Sequence, residues 1–182
     1  MNEILADASS QFQDSLPTHP ETLLAKITEL GLHFENYNHP PLRTVADSKL
    51  VREGFLTKED GGAHIKNLYL RDRKKKNFLA VIEEDKNVDL ANLAEQFGAA
   101  RFSFGSADRL LEMLGVRPGA VTPLAMINGV TSDVTIGLDR DIMQAKQIYM
   151  HPLVNDRTIA MSPDDLMHFL SAIGVTPLLL TI

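Results

Sequence analysis

The stretch HIKNLYLRDRKKKNFLAVI, residues 64–82, decides how this chain is read. Ile65, Leu68 and Leu70 lie in its first arm, 78–82 is an unbroken apolar run, and polar residues 72–77 separate the two. Two strand-length apolar segments joined by a short polar turn predict a β-hairpin. A period of two puts Ile65, Asn67 and Tyr69 on one face of the first arm and Lys66, Leu68 and Leu70 on the other. Lys66 is then either on a buried face, where its ammonium needs a specific partner, or on an edge strand from which it snorkels to water. The block 71–76 could bind phosphate, but a charge run at a hairpin tip is read first as a solvated turn.

The flanking segments fill in the architecture. Leu23, Leu24, Ile27 and Leu30 recur at helical spacing over 21–30, and Gly31 supplies a stop. Residues 33–37 alternate before His39, Pro40 and Pro41 interrupt them, and 44–52 reads as a short helix ending at Gly54. Helices are predicted over 89–97, closed by Gly98, and over 106–114, capped by Ser106 and stopped by Gly115. A short strand at 101–104 separates them. Residues 121–127 and 134–138 are strand-like apolar runs on either side of Asn128 and Gly129, a dipeptide that favours a tight hairpin turn. A strand over 158–161 leads into a last helix, 164–173, with Ser162 as cap and Pro163 at its first position. Mixed strands, hairpins and helices predict an α+β fold, a single compact domain whose mixed, mostly antiparallel sheet is flanked by helices. Residues 1–15 are expected to form a polar lead-in and 16–182 the functional domain.

Composition excludes several chemistries. The 182 residues, 44% hydrophobic and 23% charged, suit one soluble core. The sequence has no apolar run of bilayer-spanning length and no signal-peptide pattern, so a cytoplasmic address is expected. With no cysteine, disulfides, thiolate metal sites and cysteine nucleophiles are ruled out. Six histidines, at 19, 33, 39, 64, 151 and 168, form no metal-binding helical pair, and no metal is expected. A net charge of −6 repels phosphate, so any nucleic-acid contact should be local. Serine-elbow, Walker and dinucleotide fingerprints are all missing.

Two segments carry chemical promise. Gly119, Ala120, Val121, Thr122 and Pro123 form a GxxxP segment in which glycine permits close approach of backbone amides to a ligand carbonyl and proline fixes chain direction. His151, followed by Pro152, Leu153, Val154 and Asn155, lies on a proline-interrupted connection, whereas His168 reads as helix-surface packing.

Together the Lys66–Asn67–Leu68–Tyr69–Leu70 run, the GxxxP segment, Ile127 with Asn128, and His151 with Pro152, Leu153 and Asn155 resemble the prolyl-tRNA synthetase editing-domain family. Order and spacing carry the match, from about residue 16 to the C-terminus. Within that family the chain is most similar to the free-standing Ala-tRNA(Pro) deacylases, also described as prolyl-tRNA synthetase-associated domain proteins. The resemblance implies a YbaK-type domain, without metal or organic cofactor, that hydrolyses the ester between alanine and the terminal adenosine of a proline tRNA. It implies catalytic positions at Lys66, Gly119 and His151 and substrate-binding positions at Asn67, Ala120, Pro123, Asn128 and Asn155. Lys66 would hold the terminal phosphate or ribose, the Gly119 and Ala120 amides would orient the ester carbonyl, and His151 would position the adenosine end or the water. The implied partners are the alanine-bearing acceptor end of tRNA(Pro) and prolyl-tRNA synthetase, with no membrane. Another small mischarged residue, as in Cys-tRNA(Pro), and a non-catalytic aminoacyl-tRNA-binding module are the alternative readings.

Overall fold

A computed structural model of the chain describes residues 7–42 and 45–182. Along the described residues the helices are α1 (Pro20–Glu29), α2 (Val45–Leu50), α3 (Leu90–Gln96), α4 (Ala107–Leu114), the single turn α5 (Met126–Gly129) and α6 (Pro163–Ala172). The strands are β1 (Glu35–Asn38), β2 (Gly62–Arg71), β3 (Asn77–Glu83), β4 (Ser103–Phe104), β5 (Val134–Asp139), β6 (Gln147–Met150), β7 (Arg157–Met161) and β8 (Leu178–Leu180). Thr44, which begins the expected second helix, and residues 1–6 of the expected lead-in lie outside the described residues.

The expected hairpin is the centre of the sheet. β2 and β3 pair antiparallel, with Lys66 opposite Ile82 and Leu68 opposite Ala80. The strand order is β1-β7-β6-β2-β3-β5-β8, with β4 paired to β2. β2–β6, β3–β5 and β5–β8 run parallel and the other pairs antiparallel, so the sheet is mixed. All seven residues of β3 are buried because both of its faces are covered. Leu79 and Val81 join one core with residues of α1, α4 and α6, whereas Phe78, Ala80 and Ile82 join a second with Leu93 and Ala94 of α3 and Phe102. β2 alternates in step: Ile65 and Tyr69 pack on the first core, Leu68 and Leu70 on the second. It has β6 beside it at 62–64 and β4 at 70–71, while at Lys66 it pairs with β3 alone.

Helix ends follow their capping residues. The Ser106 hydroxyl accepts from the Arg109 amide at 3.3 Å and the Ser162 hydroxyl from the Asp165 amide at 3.1 Å, satisfying amides that the helix leaves unpaired. Gly115 closes α4 at φ +65°, a left-handed conformation that favours glycine.

One expected hairpin is absent. Residues 121–127 are not a strand: Pro123–Ala125 is a 3-10 turn that runs directly into α5, and the Asn128–Gly129 dipeptide ends that helical turn. Thr122 and Pro123 start the turn as cap and first residue, while Leu124, Ala125 and Met126 are fully buried. A short apolar run buried on every side has no periodicity that separates helix from strand. The segment before α1 packs onto the body: Ser10–Ser15 is a 3-10 helix, and Ala8 and Ser9 are buried.

Candidate functional site

A cavity of about 80 Å³ opens where the outer ends of β2, β6 and β7 meet the chain between α2 and β2; Asn67, His64, Tyr149, His151 and Thr158 line it, with Arg52 and Phe55 opposite. That volume holds two or three waters, so it suits a small group.

His151 follows β6 and is turned by its own backbone contact. Its Nδ1 lies 2.7 Å from the Arg157 carbonyl. A carbonyl can only accept, so Nδ1 is the protonated nitrogen and, in the neutral ring, Nε2 carries the lone pair. Among the described residues Nε2 has no partner. Burial holds the imidazole below its ordinary pKa of 6.5 and the His39 charge adds to this, against the Arg157 hydrogen bond and Asp156. The result is a neutral acceptor at physiological pH on the wall of a small cavity. His39 stands beside it, the ring centroids 6.2 Å apart, with its Nδ1 on the Pro40 carbonyl and its Nε2 on the Thr158 hydroxyl.

The GxxxP segment begins with a tight turn. The Ala120 amide donates to the Arg117 carbonyl at 3.0 Å, Pro118 and Gly119 occupy the central positions, and Gly119 has φ +96°. That is the type II geometry, which favours proline followed by glycine. It corrects one expectation: the Ala120 amide closes the turn and is not available to a ligand carbonyl. The Val121 and Thr122 amides have no acceptor among the described residues. Pro123 is buried at the start of the following 3-10 turn.

Asn67 ties β2 to this segment, its Nδ2 donating to the Val121 carbonyl at 2.8 Å. Asn155 ties the His151 loop to the chain after β1, its Nδ2 donating to the Leu42 carbonyl at 2.9 Å. Because each amide nitrogen faces an acceptor, the oxygens are fixed on the other side, and both are buried without a donor. Asn155 Nδ2 also lies 3.4 Å from where a Cβ on Gly119 would stand, so the two loops touch.

Two expected site residues stand elsewhere. Asn128 accepts from the Thr18 hydroxyl at 2.6 Å and donates to the Leu114 carbonyl at 3.0 Å, so its side chain latches α4, α5 and the residues before α1 together rather than facing the cavity. Lys66 lies on the face of β2 opposite Asn67. Its ammonium donates to the Glu84 carbonyl at 3.0 Å and to the Lys86 carbonyl, steadying the chain as it leaves β3.

Other wall residues carried no sequence signal. Phe55 stacks on Tyr149 at 4.4 Å and His64 on Tyr149 at 5.0 Å, making an aromatic wall. Arg52 meets Glu84 through both guanidinium nitrogens, at 2.5 and 2.6 Å. Burial and then the Arg52 charge lower the pKa of His64. These groups come from separate segments, and only folding brings them together. Among the described residues no group of three His, Asp or Glu side chains could hold a metal ion, and no helix is long and apolar enough to cross a membrane.

A family model described as "Aminoacyl-tRNA editing domain" matches residues 39–169. Prolyl-tRNA editing protein ProX of Acetoanaerobium sticklandii is 30% identical over 157 residues, which cover 86% of this chain and 93% of that protein. Prolyl-tRNA synthetase associated domain-containing protein 1 of Mus musculus is 36% identical over 160 residues, covering 85% of this chain and 91% of that protein. A crystal structure of a hypothetical protein superposes with a TM-score of 0.69 at 20% identity, covering 87% of this chain and 97% of the other. A second, reported for a candidate trans-editing enzyme for prolyl tRNA synthetase, gives 0.67 at 16% identity, with 89% and 94% covered. At such identities the solved structures speak to the fold, while the sequence relatives and the family model reach further: the chain belongs to the aminoacyl-tRNA editing domain family.

Proposed function

We propose that this protein is a trans-acting deacylase that hydrolyses the ester of alanine wrongly attached to proline tRNA. The observation that carries the reading is the neutral His151, its Nε2 lone pair on the wall of a cavity sized for a small group. The names of the relatives, a prolyl-tRNA editing protein and prolyl-tRNA synthetase associated domain proteins, support the choice of tRNA.

In this reading a water attacks the ester carbonyl while His151 Nε2 takes its proton. The amide of Val121, on the segment that Asn67 ties to β2, receives the negative charge that develops on the carbonyl oxygen. The carbon–oxygen bond to the ribose breaks, and the departing ribose oxygen recovers a proton from the imidazolium. Gly119 supports the turn that presents the amide, and Asn67, Pro123 and Asn155 hold that turn and the His151 loop together. Lys66 works at the edge: two of its three protons are engaged by carbonyls, and the third serves the terminal phosphate. Lys74 and Lys76, exposed at the hairpin tip, add local contacts to the tRNA backbone despite the acidic total.

The biological logic is that of two sieves. A synthetic site shaped for proline rejects the smaller alanine by only about 1–3 kcal/mol, so a second site that admits alanine and excludes proline is needed. The test is release of labelled amino acid from Ala-tRNA(Pro), Pro-tRNA(Pro) and Cys-tRNA(Pro) by the purified protein. Rapid loss of alanine with proline retained is expected. Faster loss of cysteine would reassign the substrate, and no loss from any of the three would leave a tRNA-binding module.

A further inference from the structure

The segment before α1 touches both loops of the site without lining the cavity. On the His151 side, the Asn155 amide donates to the Ala8 carbonyl at 2.8 Å, and the Ser10 amide and hydroxyl donate to Asp156 Oδ2 at 3.0 and 2.5 Å. Arg157 donates to Gln13 Oε1 at 2.9 Å. On the GxxxP side, Arg117 donates to the Ser15 hydroxyl at 2.9 Å, and the Ala8 methyl lies 3.8 Å from where a Cβ on Gly119 would stand. These bonds join residues more than 100 positions apart in sequence.

The loop they grip needs a grip. Leu153 holds φ +70°, a left-handed conformation that a leucine adopts at a cost, and it does so while buried. Such a backbone persists only where its surroundings over-determine it. The same loop buries Asn155 and leaves Asp156 Oδ1 without a donor, so its own polar groups do not close it. It nonetheless has to deliver the Arg157 carbonyl to His151 Nδ1, the contact that sets which ring nitrogen is free.

We propose that residues 8–15 are a positioning strap, with Asp156 as their main anchor, that holds the His151 loop and the GxxxP turn in catalytic register. Asp156 is a positioning residue: it acts on the reaction through the Arg157 carbonyl and His151 and touches no substrate. The proposal rests on the deacylase reading for its kinetic consequence, but its structural consequence is independent of which ester is cleaved.

The experiment compares Asp156→Ala, which loses both Ser10 bonds, with Asp156→Asn, whose amide oxygen still accepts from both Ser10 donors. Two quantities are read: kcat and KM for labelled Ala-tRNA(Pro), and the ring-nitrogen NMR signals of His151, assigned with His151→Gln. The expected result for Asp156→Ala is a fall in kcat of about tenfold with KM within about twofold. Its His151 signals should move from a single tautomer toward a tautomer average, and Asp156→Asn should restore both readouts. Should Asp156→Ala fail to fold, the double variant Ser10→Ala/Gln13→Ala, altered only on the strap, is read in the same way. Unchanged His151 signals in the folded variant would overturn the proposal, as would loss of activity that appears in KM alone. If the wild-type protein cleaved none of the esters tested, the deacylase reading would fall while the NMR arm still decided whether the strap sets the histidine.

Discussion

The β2–β3 hairpin, apart from its exposed tip at 73–76, and the two loops at 117–123 and 151–157, apart from the exposed Pro118 and Gly119, are packed inside the molecule, and they are packed in opposite ways. Every residue of β3 is buried, its backbone pairs with β2 on one side and β5 on the other, and its side chains feed two apolar cores. Even the polar Asn77 at its start has a partner in the Tyr69 hydroxyl, at 2.7 Å. Around the loops, by contrast, the buried oxygens of Asn155 and Asp156 have no donor and Leu153 holds a costly backbone conformation; on β2 itself Arg71 Nε and the oxygen of Asn67, whose amide nitrogen reaches the GxxxP segment, are likewise buried without a partner. Native structures leave few buried polar atoms unpaired, and those that remain call for a reason. The hairpin feeds both apolar cores, and the stability of those cores sustains the cost of the strained, incompletely satisfied loops.

The largest test of that division is Leu79→Ala in β3. Leu79 is fully buried, and its truncation should cost about 2–5 kcal/mol in urea unfolding. The rate of deacylation per folded molecule should stay close to wild type. Gly119→Ala should reverse the pattern. At φ +96° a side chain costs roughly 1–2 kcal/mol, while its Cβ would only come into van der Waals contact with Asn155 Nδ2, at 3.4 Å. Activity per folded molecule should fall about tenfold, where Leu79→Ala leaves it unchanged. Equal loss of activity in both variants at matched folded fraction would erase the contrast.

A pH measurement sharpens it. Burial lowers the pKa of His151 in the folded protein, so on acidification the unfolded chain takes up the proton first. The stability gained by burying the neutral ring is therefore complete above the ordinary value of 6.5 and declines as pH falls through 6.5 toward the folded value. Wild-type stability should drop more on mild acidification than that of His151→Gln, and the acid limb of the deacylation rate should have its midpoint below 6.5. The smallest effect on folding belongs to Lys74→Ala/Lys76→Ala at the exposed hairpin tip, within about 0.5 kcal/mol. Its signature should be weaker tRNA binding with a salt slope reduced by roughly two. An unchanged slope would return the tip to a solvated turn.

Sequence reading reached the hairpin and most helices because strong signals coincide there. Residues 78–82 are apolar without a break, and Ser106, Gly115, Ser162 and Pro163 mark helix ends chemically. It mistook 121–127 for a strand because a turn buried on every side shows no period, and it passed over 147–150 and 178–180 because each strand is so short. The GxxxP segment and His151 stood out, and the structure brings both to one region with Asn67 and Asn155. Of the expected site residues only Asn67 and His151 line the cavity itself, with Gly119, Ala120, Pro123 and Asn155 behind that wall; Asn128 is a latch between helices, and strand alternation turns Lys66 away. Arg52, Phe55, His64, Tyr149 and the strap at 8–15 were not legible, since each gains its meaning from neighbours distant in sequence.

The central claim is that an ester is cut at the wall that carries His151. The most direct measurement is the time course of alanine release from Ala-tRNA(Pro) by the wild-type protein and by His151→Gln, side by side, with folding of each checked by thermal unfolding. Rapid release by the wild type and a loss of about a hundredfold in the folded variant are expected. Equal release by the two proteins would contradict it.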